Sequence, residues 1–191
     1  TCALPILKKV RKAMGIEYFE DDALSTEILL AGYRMLICRN SFIYHAGSQS
    51  FSKRSDVCEI LREHYQLFIK KYGFEILKYA MPDKELLAKI HFKAEEEFSF
   101  LQIGCGMGAE LKLLHTEYPN VHVVGVETDP VLRKISSQTD LVFESVWEVK
   151  KYLEAEVFDV LMIRRELFAT ISDEEKSVMT QLCKKDCVLL I

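Results

Sequence analysis

The sequence predicts an α/β protein, in which an open sheet of about five parallel strands follows a mostly helical segment. From residue 98 onward, short apolar runs alternate with segments of helical spacing. The first run leads through a glycine cluster into a helix, in the stretch "FLQIGCGMGAELKLLH". Strands that alternate with helices of this length form βαβ units with right-handed crossovers, and therefore a parallel sheet.

Each element of the predicted sheet follows from a local pattern. Apolar runs predict strands at residues 98–103, 121–126, 140–143, 158–163 and 187–191. Apolar residues at helical spacing predict helices between them in "GAELKLLHTEY", "DPVLRKISS", "SVWEVKKYLEA" and "SDEEKSVMTQLCKK". The chain therefore stops inside or just after the fifth predicted strand.

The preceding segment has a different pattern. Helical spacing is present in "LPILKKVRKAM", and "DDALSTEILLAGYR" opens with acids and closes at Ala31-Gly32, as a helix does. The stretch "RMLICRNSFIYH" predicts two short strands around the turn Arg39-Asn40. A long amphipathic helix follows, with Ser55 as its N-cap and Gly73 as its stop.

These patterns divide the chain into three parts. Residues 1–81 form the first part, and residues 98–191 form the α/β domain. Residues 82–97 connect them as a helical linker, because this stretch lacks the Gly and Ser content of a flexible one. The break at Met81-Pro82 places the domain boundary near Pro82.

Composition excludes several classes of protein. The 191 residues carry a net charge of -4 without a basic patch, which disfavours nucleic acid as a partner. No apolar run is as long as the roughly 18 residues of a transmembrane helix, and no secretory signal is recognisable. The six cysteines show no CxxC spacing, so we expect reduced thiols in a cytoplasmic protein.

The glycine cluster is the first candidate binding site. In an open α/β sheet, ligands bind at the carboxyl ends of the strands, where Gly104, Gly106 and Gly108 follow the first strand. Glu127 ends the second strand, where an acid can accept hydrogen bonds from both ribose hydroxyls of a nucleoside. Turn and acid together predict an adenosine-containing ligand. The alternative is that the glycines only permit a tight turn and that Glu127 is a solvated loop acid.

The glycine pattern is GxGxG rather than the GxGxxG of dinucleotide-binding proteins. Here "FLQIGCGMGAE", "VVGVETDP", "FDVLMIRREL" and "KKDCVLLI" resemble the class I S-adenosylmethionine-dependent methyltransferases, which have a Rossmann-like sheet. The resemblance implies S-adenosylmethionine as cofactor, with its methionine part over Gly104 to Gly108 and its ribose on Glu127. It also implies that the adenine lies near Glu144 and Ser145. The family continues into two more strands, so by this resemblance the domain is truncated after strand five.

Residues 18–73 resemble a different family, the carboxyl-terminal part of family 2 glycosyltransferases. The matching segments are Glu20-Asp21, "AGYR", "YHAGS" and "KKYG". The resemblance implies that Asp21 deprotonates the acceptor and that His45 lies near a metal-bound diphosphate. A nucleotide sugar, a glycan acceptor and a divalent metal would then belong to a longer parent protein. Without the resemblance, the acids are a helix N-terminal cluster and His45 is a surface or core residue.

Together these features predict a fragment of a bacterial-type glycosyltransferase of glycan assembly that carries an S-adenosylmethionine-binding, methyltransferase-like domain. Methyl transfer to a sugar or related acceptor is the expected reaction, and the fragment alone is not expected to transfer sugar. One alternative is a non-catalytic α/β scaffold or docking module. A second is an NAD-linked sugar oxidoreductase, which the GxGxG pattern disfavours.

Overall fold

The computed structural model describes residues 18–36, 38, 40–42, 44, 55–153, 155 and 157–191. The chain divides into two compact units, of which the first ends at Ile76 and the second spans Leu77–Ile191. This division precedes Pro82, near which the sequence placed the boundary. Residues 77–97 therefore belong to the second unit.

Two helices of the first unit form where the sequence predicts them. Helix α1 spans Glu20–Leu30, and helix α2 spans Val57–Tyr72. Each is followed by a glycine with positive φ, Gly32 at 84° and Gly73 at 82°. Residues with a Cβ rarely adopt this backbone conformation, so glycine is the residue that ends both helices.

Aromatic side chains hold these two helices together. Phe68 is fully buried, and its ring centroid lies 4.6 Å from that of Tyr72 and 5.5 Å from that of Phe74. The Tyr72 hydroxyl donates to the Ala23 carbonyl at 3.3 Å and bonds Glu27. Burial, followed by the Glu27 charge, raises the pKa of Tyr72. The apolar face of α2 is therefore core packing against α1.

Two local predictions for the first unit are wrong. The N-cap residue of α2 is Asp56 rather than Ser55, and it makes no side-chain capping hydrogen bond. The described residues of the stretch 34–45 are not in a strand, and their large apolar side chains are exposed. A pair of short strands is marginal in water unless an apolar face packs against another element. Local strand propensity alone therefore does not place the described residues of this stretch in a strand.

The second unit contains the predicted parallel sheet. Its strands are β1 (Phe98–Ile103), β2 (Val121–Val126), β3 (Leu141–Phe143), β4 (Phe158–Ile163) and β5 (Cys183–Leu190). They lie in the order β3-β2-β1-β4-β5, and every neighbouring pair is parallel. This is the doubly wound, Rossmann-like arrangement, in which the strand order reverses between β1 and β4.

Helices cover both faces of the sheet, as a parallel sheet requires. The short helices α3 and α4 precede β1, and the remaining helices connect or follow strands. Their bounds are α3 (Ile76–Tyr79), α4 (Lys84–Leu87), α5 (Ala109–Glu117), α6 (Pro130–Ser136), α7 (Val146–Tyr152), α8 (Arg165–Phe168) and α9 (Asp173–Leu182). Apolar residues of α4 and α5 pack on one face of β1, and those of α7 and α9 pack on the other.

The stretch predicted to be a helical linker is mostly irregular and is part of the domain core. Only Lys84–Leu87 is helical within residues 82–97, with Asp83 accepting a hydrogen bond from the Leu86 N–H at 2.9 Å. Leu86, Leu87 and Ile90 are buried against β1 and α5. The linker prediction is therefore wrong, because the apolar residues of this stretch cover the sheet.

Strand β5 begins four residues earlier than predicted and contains an irregularity. Cys183 is opposite Phe158, whereas Val188 is opposite Val160, so the ladder is interrupted around Asp159. The Lys184 Nζ pairs with Asp159 at 2.9 Å, and the other Asp159 oxygen accepts the Ser99 N–H at 2.9 Å. One carboxylate thus ties the irregular strand to its neighbour and to β1.

No helix among the described residues is long and apolar enough to cross a lipid bilayer.

Replacement of Leu101 by alanine is expected to lower the free energy of unfolding by about 2–5 kcal/mol, because the fully buried side chain leaves a cavity in the central strand. The matched control is Leu141→Ala on β3, where the side chain is 53% exposed and the loss should stay below about 1 kcal/mol. Urea unfolding followed by circular dichroism measures both. Equal losses would show that β1 is not the centre of the fold.

Candidate functional site

The glycine turn joins the carboxyl end of β1 to helix α5. Gly104, Gly106 and Gly108 have φ values of 73°, 56° and 74°, so all three lie in the left-handed region that disfavours other residues. The N–H groups of Gly104 and Cys105 both donate to the Val126 carbonyl of β2, at 2.8 and 3.0 Å. The backbone of this turn therefore requires glycine, whatever else the turn does.

Glu127 holds the turn from the end of β2. Its Oε2 accepts the Gly106 N–H at 2.7 Å, and its Oε1 accepts the Asp129 N–H at 2.9 Å. The residue is only 6% exposed, so it is not the solvated loop acid of the alternative interpretation. An ionised carboxylate has about four acceptor positions, so each oxygen can accept a second hydrogen bond. The two hydrogen bonds that Glu127 accepts therefore leave an acceptor position for a ligand hydroxyl.

Glu144 and Ser145 follow β3, at the same edge of the sheet. The Ser145 side chain caps helix α7 by accepting the Glu148 N–H. Glu144 is exposed, and its carboxylate pairs with the Arg133 guanidinium at 2.8 Å. The same guanidinium donates to the Glu127 carbonyl at 2.7 Å. Arg133 therefore connects the ends of β2 and β3.

A cavity of about 240 Å³ opens at the carboxyl ends of the strands. Gly104, Glu144 and Ser145 line it, together with Thr128 and Leu167. The structure thus brings three of the predicted binding residues to one cavity. The other three, Gly106, Gly108 and Glu127, are not part of its lining, although Glu127 lies directly before Thr128.

Two side chains that the sequence did not single out cover the turn. A Cβ placed on Gly106 would lie 2.5 Å from Cδ1 of Tyr79, and a Cβ on Gly104 would overlap Cδ1 of Leu167. Tyr79 belongs to α3 and Leu167 to α8, far apart in the sequence. No local pattern marks either residue, because the fold alone brings them to the turn.

Arg164 fixes the same region from the end of β4. Its Nε donates to the Gly104 carbonyl at 2.8 Å, and its Nη1 donates to the Lys78 carbonyl at 3.2 Å. Its Nη2 lies 3.4 Å from the buried carboxylate of Glu110. The guanidinium also lies 5.0 Å from the Tyr79 ring, in cation–π geometry. Arg164 therefore connects the turn to the segment before the sheet.

Cys105 lies within the turn but is not a nucleophile at neutral pH. Its side chain is fully buried. Burial, with the Glu127 charge as the next cause, raises the pKa of the Cys105 thiol to about 12. Because the thiolate is the reactive form of cysteine, covalent chemistry at this residue is disfavoured.

Asp21, a candidate residue of the glycosyltransferase resemblance, lies in the first unit. Asp21 is exposed in the first turn of α1, between Glu20 and Asp22. Burial, with the Asp21 charge as the second cause, raises the pKa of Asp22. His45 lies outside the described residues. Among the residues that are described, no three His, Cys, Asp or Glu side chains are grouped to hold a metal ion. The roles of Asp21 and His45 remain predictions.

The chain matches no protein-family model, and comparison with curated proteins gives no significant match. Solved structures with a similar fold include S-adenosylmethionine-dependent methyltransferases from Archaeoglobus fulgidus and Aquifex aeolicus. The first is 23% identical with a TM-score of 0.42, and the match covers 63% of this chain and 53% of that one. The second is 15% identical with a TM-score of 0.45, and the match covers 61% and 66%.

A methyltransferase described as putative, from Methanococcus maripaludis, is 14% identical with a TM-score of 0.44, over 64% of this chain and 59% of that one. In all three cases the match spans less than two thirds of the other protein. At these identities and scores the likeness extends to the fold alone. The function of this chain therefore has to be argued from its own residues.

Replacement of Glu127 by glutamine is expected to lower the free energy of unfolding by about 1.5–3 kcal/mol, because the amide nitrogen cannot accept a backbone N–H. The control is Glu144→Gln, whose carboxylate is exposed and pairs only at the surface, so the loss should stay below about 1 kcal/mol. Chemical denaturation measures both variants. Unchanged stability of Glu127→Gln would show that the Glu127 carboxylate does not stabilise the turn.

Proposed function

We propose that the second unit binds S-adenosylmethionine and serves in transfer of its methyl group. The observation that supports this most is the link between the Gly106 N–H and the Glu127 carboxylate. It joins a turn of three left-handed glycines to a buried acid at the switch point of a parallel sheet, where ligands of such folds bind. In this proposal the acid would bind the ribose, and the turn would hold the group attached to it.

The cavity fits part of such a ligand. Its volume of about 240 Å³ is below the roughly 300–1,000 Å³ typical of sites for drug-sized ligands. In this proposal the adenine would occupy the space next to Glu144 and Ser145, and Thr128, which lines the same cavity, directly follows Glu127. The methionine part would need the space over the turn that Tyr79 and Leu167 fill. Binding therefore requires rotation of at least one of these two side chains.

The cofactor would supply an electrophilic methyl group, and the protein would supply position. Catalysis by such a site depends mainly on holding the acceptor in line with the methyl group, which lowers the entropic part of the barrier. Glu127 would orient the ribose, and the backbone of the turn would approach the ligand without an intervening Cβ. Cys105 is not a candidate for accepting the methyl group at neutral pH, because its pKa is raised to about 12.

The proposed acceptor is a sugar or related glycan, in a longer parent protein of glycan assembly. This extension depends on the resemblance of residues 18–73 to family 2 glycosyltransferases, in which Asp21 would be the base for a nucleotide-sugar reaction. The helix that this resemblance requires after Glu20 is present as α1. The sugar reaction, its divalent metal and the role of His45 are proposals for the parent protein and not for this chain alone.

A second candidate function is a non-catalytic scaffold. The covered turn favours it, because Tyr79 and Leu167 occupy the space that a cofactor would need. Arg164 reinforces this cover through its hydrogen bonds to the Gly104 and Lys78 carbonyls. In this alternative the glycines serve only the backbone of the turn. An NAD-linked oxidoreductase is the third candidate, and the spacing of the glycines disfavours it.

Titration with S-adenosylhomocysteine separates these functions. A cofactor-binding domain should gain about 2.7 kcal/mol of stability when the ligand exceeds its Kd 100-fold. Thr128→Tyr should reduce affinity at least tenfold, because the larger side chain fills the cavity while the Thr128 carbonyl can still accept from Arg133. Thr116→Tyr is the matched control, because Thr116 is exposed on α5 and does not line the cavity. Calorimetry and thermal unfolding provide the two readouts.

Each outcome selects one candidate. Binding that Thr128→Tyr weakens and Thr116→Tyr retains supports the cofactor site. Stabilisation by NAD but not by S-adenosylhomocysteine identifies the oxidoreductase. No heat and no thermal shift with either ligand at millimolar concentration would overturn the proposal and leave the scaffold.

A further inference from the structure

Two cysteines stand at the two ends of the irregular part of strand β5. Cys183 and Cys187 are both free thiols of intermediate exposure, and both pack against the core on the α7 and α9 face of the sheet. They line one cavity of about 660 Å³, separate from the cavity at the carboxyl ends of the strands. The sequence offered no CxxC signal, because three residues separate the two cysteines.

The strand register explains why the two cysteines are close. Cys183 is opposite Phe158 and Val188 is opposite Val160, so four residues of β5 face the single residue Asp159. Positions opposite Phe158 and Val160 lie about 6.6 Å apart, because a parallel strand rises about 3.3 Å per residue. The extra residues bulge out between Cys183 and Val188, and Cys187 is the last of them. A disulfide joins cysteines whose Cα atoms lie about 4.4–6.8 Å apart.

Contacts at the bulge favour a reactive pair. Interaction with the Cys183 thiol lowers the pKa of the Cys187 thiol, whereas burial and the Asp159 charge oppose the shift. Interaction with the Cys187 thiol, followed by burial, raises the pKa of Cys183. Lys184 pairs with both Asp159 oxygens, at 2.9 and 3.0 Å, which fixes the bulge against β4. The Cys187 thiol is thus the more acidic of the two.

We propose that Cys183 and Cys187 form a reversible dithiol–disulfide pair that is oxidised by a low-molecular-weight disulfide. The Cys187 thiolate attacks one sulfur of the small disulfide, forms a mixed disulfide and expels one thiolate. Cys183 then loses its proton and attacks the Cys187 sulfur, which expels the second thiolate. Two protein thiols are oxidised, one small disulfide is reduced to two thiols, and the two thiol protons pass to the leaving groups.

This pair is independent of the proposed cofactor site. It lies beside β5 and α9, whereas the glycine turn follows β1. Closure of the disulfide would fix the bulge covalently at its two ends. Failure of one proposal therefore leaves the other intact.

The test is oxidation of the whole chain in buffers of oxidised and reduced glutathione, followed by acid quenching, proteolysis and mass spectrometry. The wild-type chain should lose two hydrogens through a Cys183–Cys187 link and retain no glutathione at either residue. Cys183→Ser should stop at a stable glutathione adduct on Cys187. Cys187→Ser should form an adduct on Cys183 at least several-fold more slowly, because the less acidic thiol remains.

A second pair of variants tests the bulge without removing a thiol. Lys184→Met removes the ion pair with Asp159 and should slow formation of the Cys183–Cys187 disulfide, so that the mixed disulfide accumulates. Lys185→Met is the matched control and should form the disulfide at the wild-type rate. Circular dichroism confirms that each variant is folded. The proposal is overturned if glutathione stays on Cys187 of the wild type without a link to Cys183. It is also overturned if only the exposed Cys38 or Cys58 reacts.

Discussion

The burial of strand β1 on both faces and both edges is the constraint from which the second unit follows. β1 is paired with β2 on one side and with β4 on the other, and Phe100 and Leu101 point to opposite faces without solvent exposure. A strand in this position cannot leave the sheet gradually, since neighbouring strands occupy the space beside it. The chain turns at once, and both the Gly104 and the Cys105 N–H find their acceptor in the Val126 carbonyl. The left-handed glycines are the consequence of this position.

The burial of β1 also gives Glu127 two roles. Its carboxylate accepts the buried Gly106 N–H and the partly buried Asp129 N–H, and a buried N–H without an acceptor is costly in a protein interior. The carboxylate is therefore held in place before any ligand arrives, and a ligand hydroxyl would meet an acceptor whose orientation is already fixed. Preorganisation of this kind reduces the entropy lost on binding. Glu127 could therefore both hold the turn and bind a ligand. From the sequence, these two roles were alternatives.

The sequence predicted strands most accurately where burial is most complete. β1, β2 and β4 match their predicted bounds because strands buried on both faces are continuous apolar runs. The start of β5 was missed because Lys184, Lys185 and Asp186 form a charged bulge that breaks such a run. Within the site, the glycines and Glu127 were found through their spacing along one βαβ unit. Tyr79, Leu167 and Arg164 were not, since they meet the turn only through the tertiary fold.

The segment before β1 determines where this domain must begin if it is exchanged between proteins. Leu86, Leu87 and Ile90 cover the sheet, while Lys78 and Tyr79 contact Arg164. A recombination event at Phe98 would transfer every strand but leave part of one face of the sheet uncovered, whereas one at Leu77 would transfer the strands together with all of this cover. Exchange of this domain between proteins would therefore succeed only with about twenty residues that look, in the sequence, like a connection between domains.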